Sequence, residues 1–278
     1  MSGLTRPTDS VSDSTQHIDD LGVPANYAHE IFTMIDQVAV VIGGAGGLGS
    51  AITRGYHQAG AVVVIADHNS QRANELAAEL GPRAIADAVD TTDRSSLESL
   101  LDNVVRAHGK VDILCNTAGI ASRHPAENFP EDEWDRIMNV NVKGSFLACQ
   151  VFGRHMLARN SGSIINLASI ASSVGYPHSS AYLQSKGAVA QMTRSLAIEW
   201  IARGVRVNAI APSIFETELT RRADTNDTTT NSWVDGRTPI GRRGLPREIV
   251  GPAIFLATEA SSMVTGHILA VDGGYTAS

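Results

Sequence analysis

Cysteine is scarce in this chain, with 2 in 278 residues. Cys115 and Cys149 sit in apolar strand-like and helix-like contexts. Two thiols make neither a disulfide framework nor a four-ligand zinc site, and free buried thiols suit a reducing, cytoplasmic setting. Basic charge is in deficit too: 22 Lys and Arg stand against 29 Asp and Glu, a net charge of −7. That balance leaves no electrostatic footprint for nucleic acid or an anionic membrane surface. No apolar run approaches the roughly 20 residues of a membrane span. Residues 1–25 are rich in Ser, Thr and Asp and lack both the basic and the apolar parts of a secretory leader, so they read as a flexible N-terminal arm.

The chain does have apolar residues in a repeating order. Short runs at 38–42, 61–66, 111–116, 163–167, 205–211 and 268–271 alternate with amphipathic stretches at 48–58, 71–80, 93–108, 131–158 and 179–203. Strands apolar on both faces, spaced by helices, predict an α/β fold whose single doubly wound parallel sheet carries helices on both faces. No linker divides the series, so residues 26–278 read as one Rossmann-type domain. Between residues 221 and 235 the apolar period fails, and the polar segment Asp224-Thr-Asn-Asp-Thr-Thr-Thr-Asn231 reads as part of a lid over 213–240.

The first strand enters Gly43-Gly-Ala-Gly-Gly-Leu-Gly49, followed by a helix. Such a turn lets backbone N–H groups approach a diphosphate at a helix N-terminus. Its spacing is not the common Gly-x-Gly-x-x-Gly, and alone it fits an ordinary turn equally well. Asp67 ends the next strand, where a carboxylate accepts the hydroxyls of an adenosine ribose and repels a 2′-phosphate. With no Lys or Arg at residues 44–46 or 68, NAD is favoured over NADP. Further on, Tyr182 and Lys186 lie one helical turn apart, and Ser169 follows a strand at the end where sheet ligands bind. Tyr-x-x-x-Lys is common by chance, but three polar groups converging there form an acid–base site.

Taken together these residues resemble the short-chain dehydrogenase/reductase family. The matching elements are Gly43-x-x-x-Gly47-x-Gly49, Asp67, Asp90, Asn116-Thr-Ala-Gly119, Asn141-Val-Lys-Gly144, Ser169, Tyr182-x-x-x-Lys186, Asn208-Ala-Ile-Ala-Pro212 and Val271-Asp-Gly-Gly274. Two positions depart from the family: Ile42 where Thr is usual before the first glycine, and Ser213 where Gly is usual after the proline.

The resemblance implies that Tyr182, as phenolate, takes the proton of an alcohol whose carbon gives hydride to NAD. It implies that Lys186 holds the nicotinamide ribose, Ser169 the reacting oxygen, and Asn141 a water leading to solvent. A free tyrosine ionises near pH 10, and lowering that toward neutrality takes about 3–4 kcal/mol, which the Lys186 ammonium and the nicotinamide cation are expected to supply. The cofactor contacts it implies are Gly43, Gly47, Leu48, Gly49, Asp67, Asp90, Thr91, Asn116, Ala118, Gly119, Tyr182, Lys186, Pro212, Phe215 and Thr217. It also implies a homotetramer joined through the two long helices at 131–158 and 179–203.

For the substrate, Arg123 and His124 lie after Gly119, and Tyr176 and His178 lie between Ser169 and Tyr182. Arg123 could pair with a carboxylate, sulfonate or phosphate, or could be a solvated surface residue. Ser169, Tyr182, Arg123 and His178 are the expected substrate contacts. Few large aromatics in these segments argue against a steroid-sized apolar pocket. The chain is most similar to the sugar-acid and polyol branch of the family, which implies a small polyhydroxylated, anionic or neutral secondary alcohol. A 3-oxoacyl-thioester reductase and a non-catalytic nucleotide sensor are the alternatives; Asp67 argues against the first and the complete tetrad against the second.

Overall fold

The computed structural model describes residues 22–218, 220–221 and 228–278. Most of the N-terminal arm, residues 1–21, and positions 219 and 222–227 of the expected lid lie outside the described residues. After a short helix, α1 (Tyr27–Glu30), the chain alternates β1 (Val38–Ile42), α2 (Gly47–Gln58), β2 (Val62–Asp67), α3 (Ser70–Leu80), β3 (Ala84–Ala88), α4 (Arg94–His108) and β4 (Ile113–Asn116). It continues with α5 (Glu131–Met138), α6 (Ser145–Arg159), β5 (Gly162–Leu167), α7 (Ser180–Trp200), β6 (Val205–Pro212), α8 (Thr228–Asp235), α9 (Val250–Ala257) and β7 (Ile268–Val271). The strands form one parallel sheet in the order β3-β2-β1-β4-β5-β6-β7.

All five residues of β1 are buried, which is what strands covered on both faces require. Val38, Val40 and Ile42 join Val64, Leu114, Ile164 and Val207 in the layer under α4 and α6. Ala39 and Val41 join Val63, Ile65, Ile113 and Ile165 in the layer under α2 and α9. Chain order reverses between β1 and β4, so their carboxyl ends diverge and open a crevice.

Three elements differ from the sequence reading. The sheet has a seventh strand, β3, an edge strand of alanines around Ile85 and Asp87 that is only partly buried and too weakly apolar to stand out. The expected continuous helix over 131–158 is interrupted by a π-helical turn, Asn139–Gly144. Its wider spacing brings Asn141 inward while Gly144 packs on Thr91, whose Oγ1 would lie 2.9 Å from a Cβ there. Within the polar segment expected to lack periodicity, Thr228–Asp235 is helical, and Val234 in α8 is buried.

A buried polar chain crosses the core. Asn116 Nδ2 donates to Asn166 Oδ1 at 2.9 Å, and Asn166 Nδ2 donates to Thr193 Oγ1 at 3.0 Å. It ties β4, β5 and α7 together directly beneath the crevice. Asn166→Ala should lose about 1–3 kcal/mol of stability by removing both of these buried hydrogen bonds, measured by urea denaturation.

Candidate active site

The crevice is a cleft of about 1180 Å³ lined by the glycine turn, Leu48, Asp67, Asp90, Thr91, Ala118, Gly119, Ser169, Tyr182, Pro212, Phe215 and Thr217. At its centre the backbone is packed too closely for side chains. A Cβ on Gly43 would lie 2.7 Å from Ala118 N, and one on Gly47 would lie 2.8 Å from Thr217 Cβ. The Gly46 N-cap has no side chain to satisfy the first N–H groups of α2, and no acidic residue occupies its first turn. A cradle of this kind fits a diphosphate. The hydroxyl missing at Ile42 is replaced from the neighbouring strand: Thr117 N–H and Thr117 Oγ1 both donate to the Ile42 carbonyl, at 2.8 and 2.7 Å.

Asp67 stands at one end of the cleft, nearly buried. Its oxygens accept the N–H groups of Ala45 at 3.1 Å and Asn69 at 2.9 Å. A carboxylate has about four acceptor positions; His68 Nδ1 lies 3.1 Å from Oδ1, so Oδ2 keeps a position for a ribose hydroxyl. Arg72, on the first turn of α3, also lines this end and pairs with Glu218 at 3.0 Å. The sequence reading weighed only positions 44–46 and 68 for a cation; Arg72 is a nearby cation that it left out.

At the other end stand the expected catalytic residues. Tyr182 and Lys186 share one face of α7, with Lys186 Nζ 5.7 Å from the Tyr182 ring centroid. Nζ donates to the Leu167 carbonyl at 2.6 Å. The Ser169 hydroxyl accepts the Ala171 N–H at 3.2 Å and lies 3.5 Å from the Pro212 carbonyl, and it lines the same cleft as Tyr182. A Cβ on Gly119 would lie 3.4 Å from Asn141 Oδ1 and 3.5 Å from Lys186 Nζ, so these three residues meet at the cleft floor.

Burial governs the ionisation of both groups. It lowers Lys186 to about 8 and raises Tyr182 above its ordinary value, with the Ser169 hydroxyl opposing the rise. The expected lowering of the phenol is assigned to the Lys186 ammonium together with the nicotinamide cation. The protein groups alone do not achieve that depression.

The Asn141 side chain is fully engaged: Oδ1 accepts the Ile120 N–H at 2.8 Å, and Nδ2 donates to Ile120 O at 2.9 Å and Ser185 Oγ at 3.0 Å. Any water it anchors must use its main-chain carbonyl, which already accepts from Ser145 Oγ at 2.8 Å. The Asn116 side chain turns away from the cleft wall into the buried chain beneath it. His178 is exposed on the rim in a left-handed conformation, φ +60°. Its carbonyl accepts the His124 N–H at 3.0 Å, which joins the loops after β4 and β5. Arg123 lies close enough to Tyr176 for its charge to act on that phenol.

Aromatic groups gather beside Ile170. Tyr176, Trp233 and Tyr275 come from three distant segments and pack with Ile170 and Val234. Tyr275 is set by Asp272, whose Oδ1 accepts the Gly274 N–H at 2.9 Å and whose Oδ2 accepts from Thr276 N and Oγ1 at 2.9 and 2.6 Å. No periodicity in the sequence brings these rings together.

Lys186→Met should stabilise the cofactor-free protein by roughly 1–3 kcal/mol at pH 7, because it removes a charge whose burial is unfavourable. The unfolded chain binds the extra proton between about 8, the folded value, and 10.5, the ordinary lysine value. The wild-type penalty is therefore complete below that window and fades as pH rises through it. Thermal melts of the two proteins at pH 7 and 9 should show the difference narrowing; a constant difference would overturn the assignment.

Known proteins are similar to this chain along most of its length. Residues 43–276 match the family model described as enoyl-(acyl carrier protein) reductase. The chain is 43% identical to galactitol 2-dehydrogenase of Cereibacter sphaeroides, over 88% of this chain and 97% of that protein. It is 39% identical to NAD-dependent glycerol dehydrogenase of Listeria innocua, over 88% of this chain and 96% of that protein. Among solved structures, a gluconate 5-dehydrogenase from Burkholderia cenocepacia in complex with NADP and tartrate superposes with a TM-score of 0.85 at 38% identity, covering 90% of this chain and 99% of that one. With the glycine cradle and the Ser–Tyr–Lys constellation in place, the chain belongs to the short-chain dehydrogenase/reductase family, NAD(P)-dependent oxidoreductases acting on CH–OH groups.

Proposed function

We propose that this chain is an NAD-preferring dehydrogenase that oxidises a secondary alcohol of a small polyhydroxylated substrate. The observation that carries the reading is the meeting of Ser169, Tyr182 and Lys186 at one end of a cleft whose other end is the Asp67 carboxylate. NAD, when bound, supplies the hydride acceptor and a positive charge beside the reacting carbon. Tyr182 removes the alcohol proton, and the Ser169 hydroxyl holds the reacting oxygen. Lys186 places its ammonium between Tyr182 and the Leu167 carbonyl, within reach of a ribose hydroxyl.

The preference for NAD rests on Asp67. A 2′-phosphate placed at its remaining acceptor position would meet a nearly buried carboxylate, and Arg72 already pairs with Glu218. The substrate class rests on relatives named for glycerol, galactitol and threitol, and it includes an anionic polyol such as a sugar acid or a sulfonated diol. The same reading includes a homotetramer joined through α6 and α7, where Phe146 and Ile198 are exposed, and a cytoplasmic location consistent with the free, buried Cys115 and Cys149. Among the described residues, no helix is long and apolar enough to cross a membrane.

NADH formation should be measured with NAD⁺ and galactitol, threitol, glycerol, gluconate and a sulfonated diol. Turnover with at least one is expected. Tyr182→Phe should lower kcat by about 10²-fold or more, and unchanged turnover would overturn the mechanism. Asp67→Ala should raise kcat/KM for NADP relative to NAD by about tenfold or more, the ratio that 1.4 kcal/mol of discrimination produces. A wild-type protein that already binds NADPH more tightly than NADH would refute the cofactor assignment.

A further inference from the structure

Arg72 and Glu218 come from distant parts of the chain, yet each is anchored beside the same end of the cleft. Arg72 is rooted to Asp67 through two hydrogen bonds. Asp67 Oδ1 accepts the Asn69 N–H at 2.9 Å, and the Asn69 side chain, capping α3, accepts the Arg72 N–H at 3.0 Å. Glu218 follows Thr217, a buried residue against which Gly47 of the glycine turn packs without room for a Cβ. Thr220 closes the turn that carries it: its hydroxyl accepts the Thr217 N–H at 3.0 Å and donates to the Phe215 carbonyl at 2.7 Å. From these two anchors the side chains meet, Arg72 Nη1 lying 3.0 Å from Glu218 Oε2, and both line the cleft with Asp67.

Charge at this end is arranged against a second phosphate. A phosphate monoester carries nearly two negative charges at neutral pH, and the planar fork of a guanidinium matches its oxygens. Arg72 brings such a fork to the Asp67 end, and Glu218 occupies it. His68 does not replace it, since its Nδ1 is directed to Asp67 Oδ1 at 3.1 Å. A 2′-phosphate would have to draw the guanidinium away from Glu218 or share it, and in either case the Glu218 carboxylate stays beside the added charge. Asp67, Arg72 and Glu218 together are net negative; without the Glu218 charge, Asp67 and Arg72 balance. Both partners are about half exposed, so the pair contributes little to stability. Its effect lies in what it withholds from a ligand.

We propose that Glu218 is a positioning residue that sets cofactor choice through Arg72: it holds the guanidinium away from a 2′-phosphate and so reinforces the selection of NAD over NADP. This rests on the NAD-preferring reading above and extends it from the end of β2 to the segment after β6. Asp67 selects by accepting a ribose hydroxyl. Glu218 selects differently, by keeping a nearby cation engaged.

Glu218→Gln keeps the length of the side chain and removes its charge. Dissociation constants for NADPH and NADH, read from the fluorescence of the bound nicotinamide, give a measure independent of turnover. In Glu218→Gln the preference for NADPH relative to NADH should rise about three- to tenfold over wild type, while the melting temperature stays within about 3 °C. Competition by adenosine 2′,5′-bisphosphate against 5′-AMP should shift by the same factor, which confines the change to the adenosine end. In an Arg72→Gln background, Glu218→Gln should move the ratio by less than about twofold, because the effect passes through the guanidinium. An unmoved ratio in Glu218→Gln, or an equal rise without Arg72, would overturn the proposal. A wild-type protein that binds NADPH more tightly than NADH would refute the NAD reading itself, a result distinct from the response to Glu218→Gln.

Discussion

The tie between β1 and β4 is the constraint on which the site depends. At the point where strand order reverses, one carbonyl, that of Ile42, accepts both the N–H and the hydroxyl of Thr117. This fixes the glycine turn leaving β1 against the segment leaving β4. The approach is so close that neither Gly43 nor Gly49 has room for a Cβ. From that junction the chain runs to Gly119, which meets Asn141 and Lys186, and from Lys186 the helix leads one turn back to Tyr182. Weakening the junction would shift both ends of the cleft, since the cofactor cradle and the acid–base groups share it as a reference point. It also explains how the chain tolerates Ile42: the hydroxyl comes from the facing strand.

The expected acid–base groups lie deep in the protein. Burial of the Lys186 ammonium opposes folding near neutral pH, and the parallel sheet and its two apolar layers offset it. The same burial makes each polar contact stronger, because water does not compete for it. Asn141 shows how the backbone was adapted to this end. Its amide serves both main-chain groups of Ile120, and a π turn is the deformation that brings it there.

Much of this was legible in the sequence, and the boundary has a physical basis. Apolar runs on both faces of a strand announce a covered parallel sheet, so six of the seven strands and their order of helices could be read directly. Glycines packed without room for a side chain, and Tyr and Lys one turn apart, are short-range features that survive as motifs. What could not be read depends on contacts between distant segments. Tyr176, Trp233 and Tyr275 cluster only because three distant segments meet beside Ile170. Arg72 meets Glu218 although the two lie far apart along the chain. The Asn116 amide matched the family motif, yet its side chain faces the core, because a motif specifies a position and not a direction. β3 escaped notice because an edge strand needs little apolar surface.

The Arg72–Glu218 pair has a further consequence for how the cleft behaves as a mechanical object. Its partners belong to opposite walls, one on α3 and one just beyond Thr217, and both side chains are about half exposed. The cradle beneath is set by close backbone packing and by the nearly buried Asp67, which accepts the Ala45 and Asn69 N–H groups. The ion pair is within reach of solvent, so ions screen it over distances of about 10 Å at ordinary strength. Ionic strength thus loosens a clasp between the walls. A dinucleotide passing in or out would feel the salt of its surroundings through this contact.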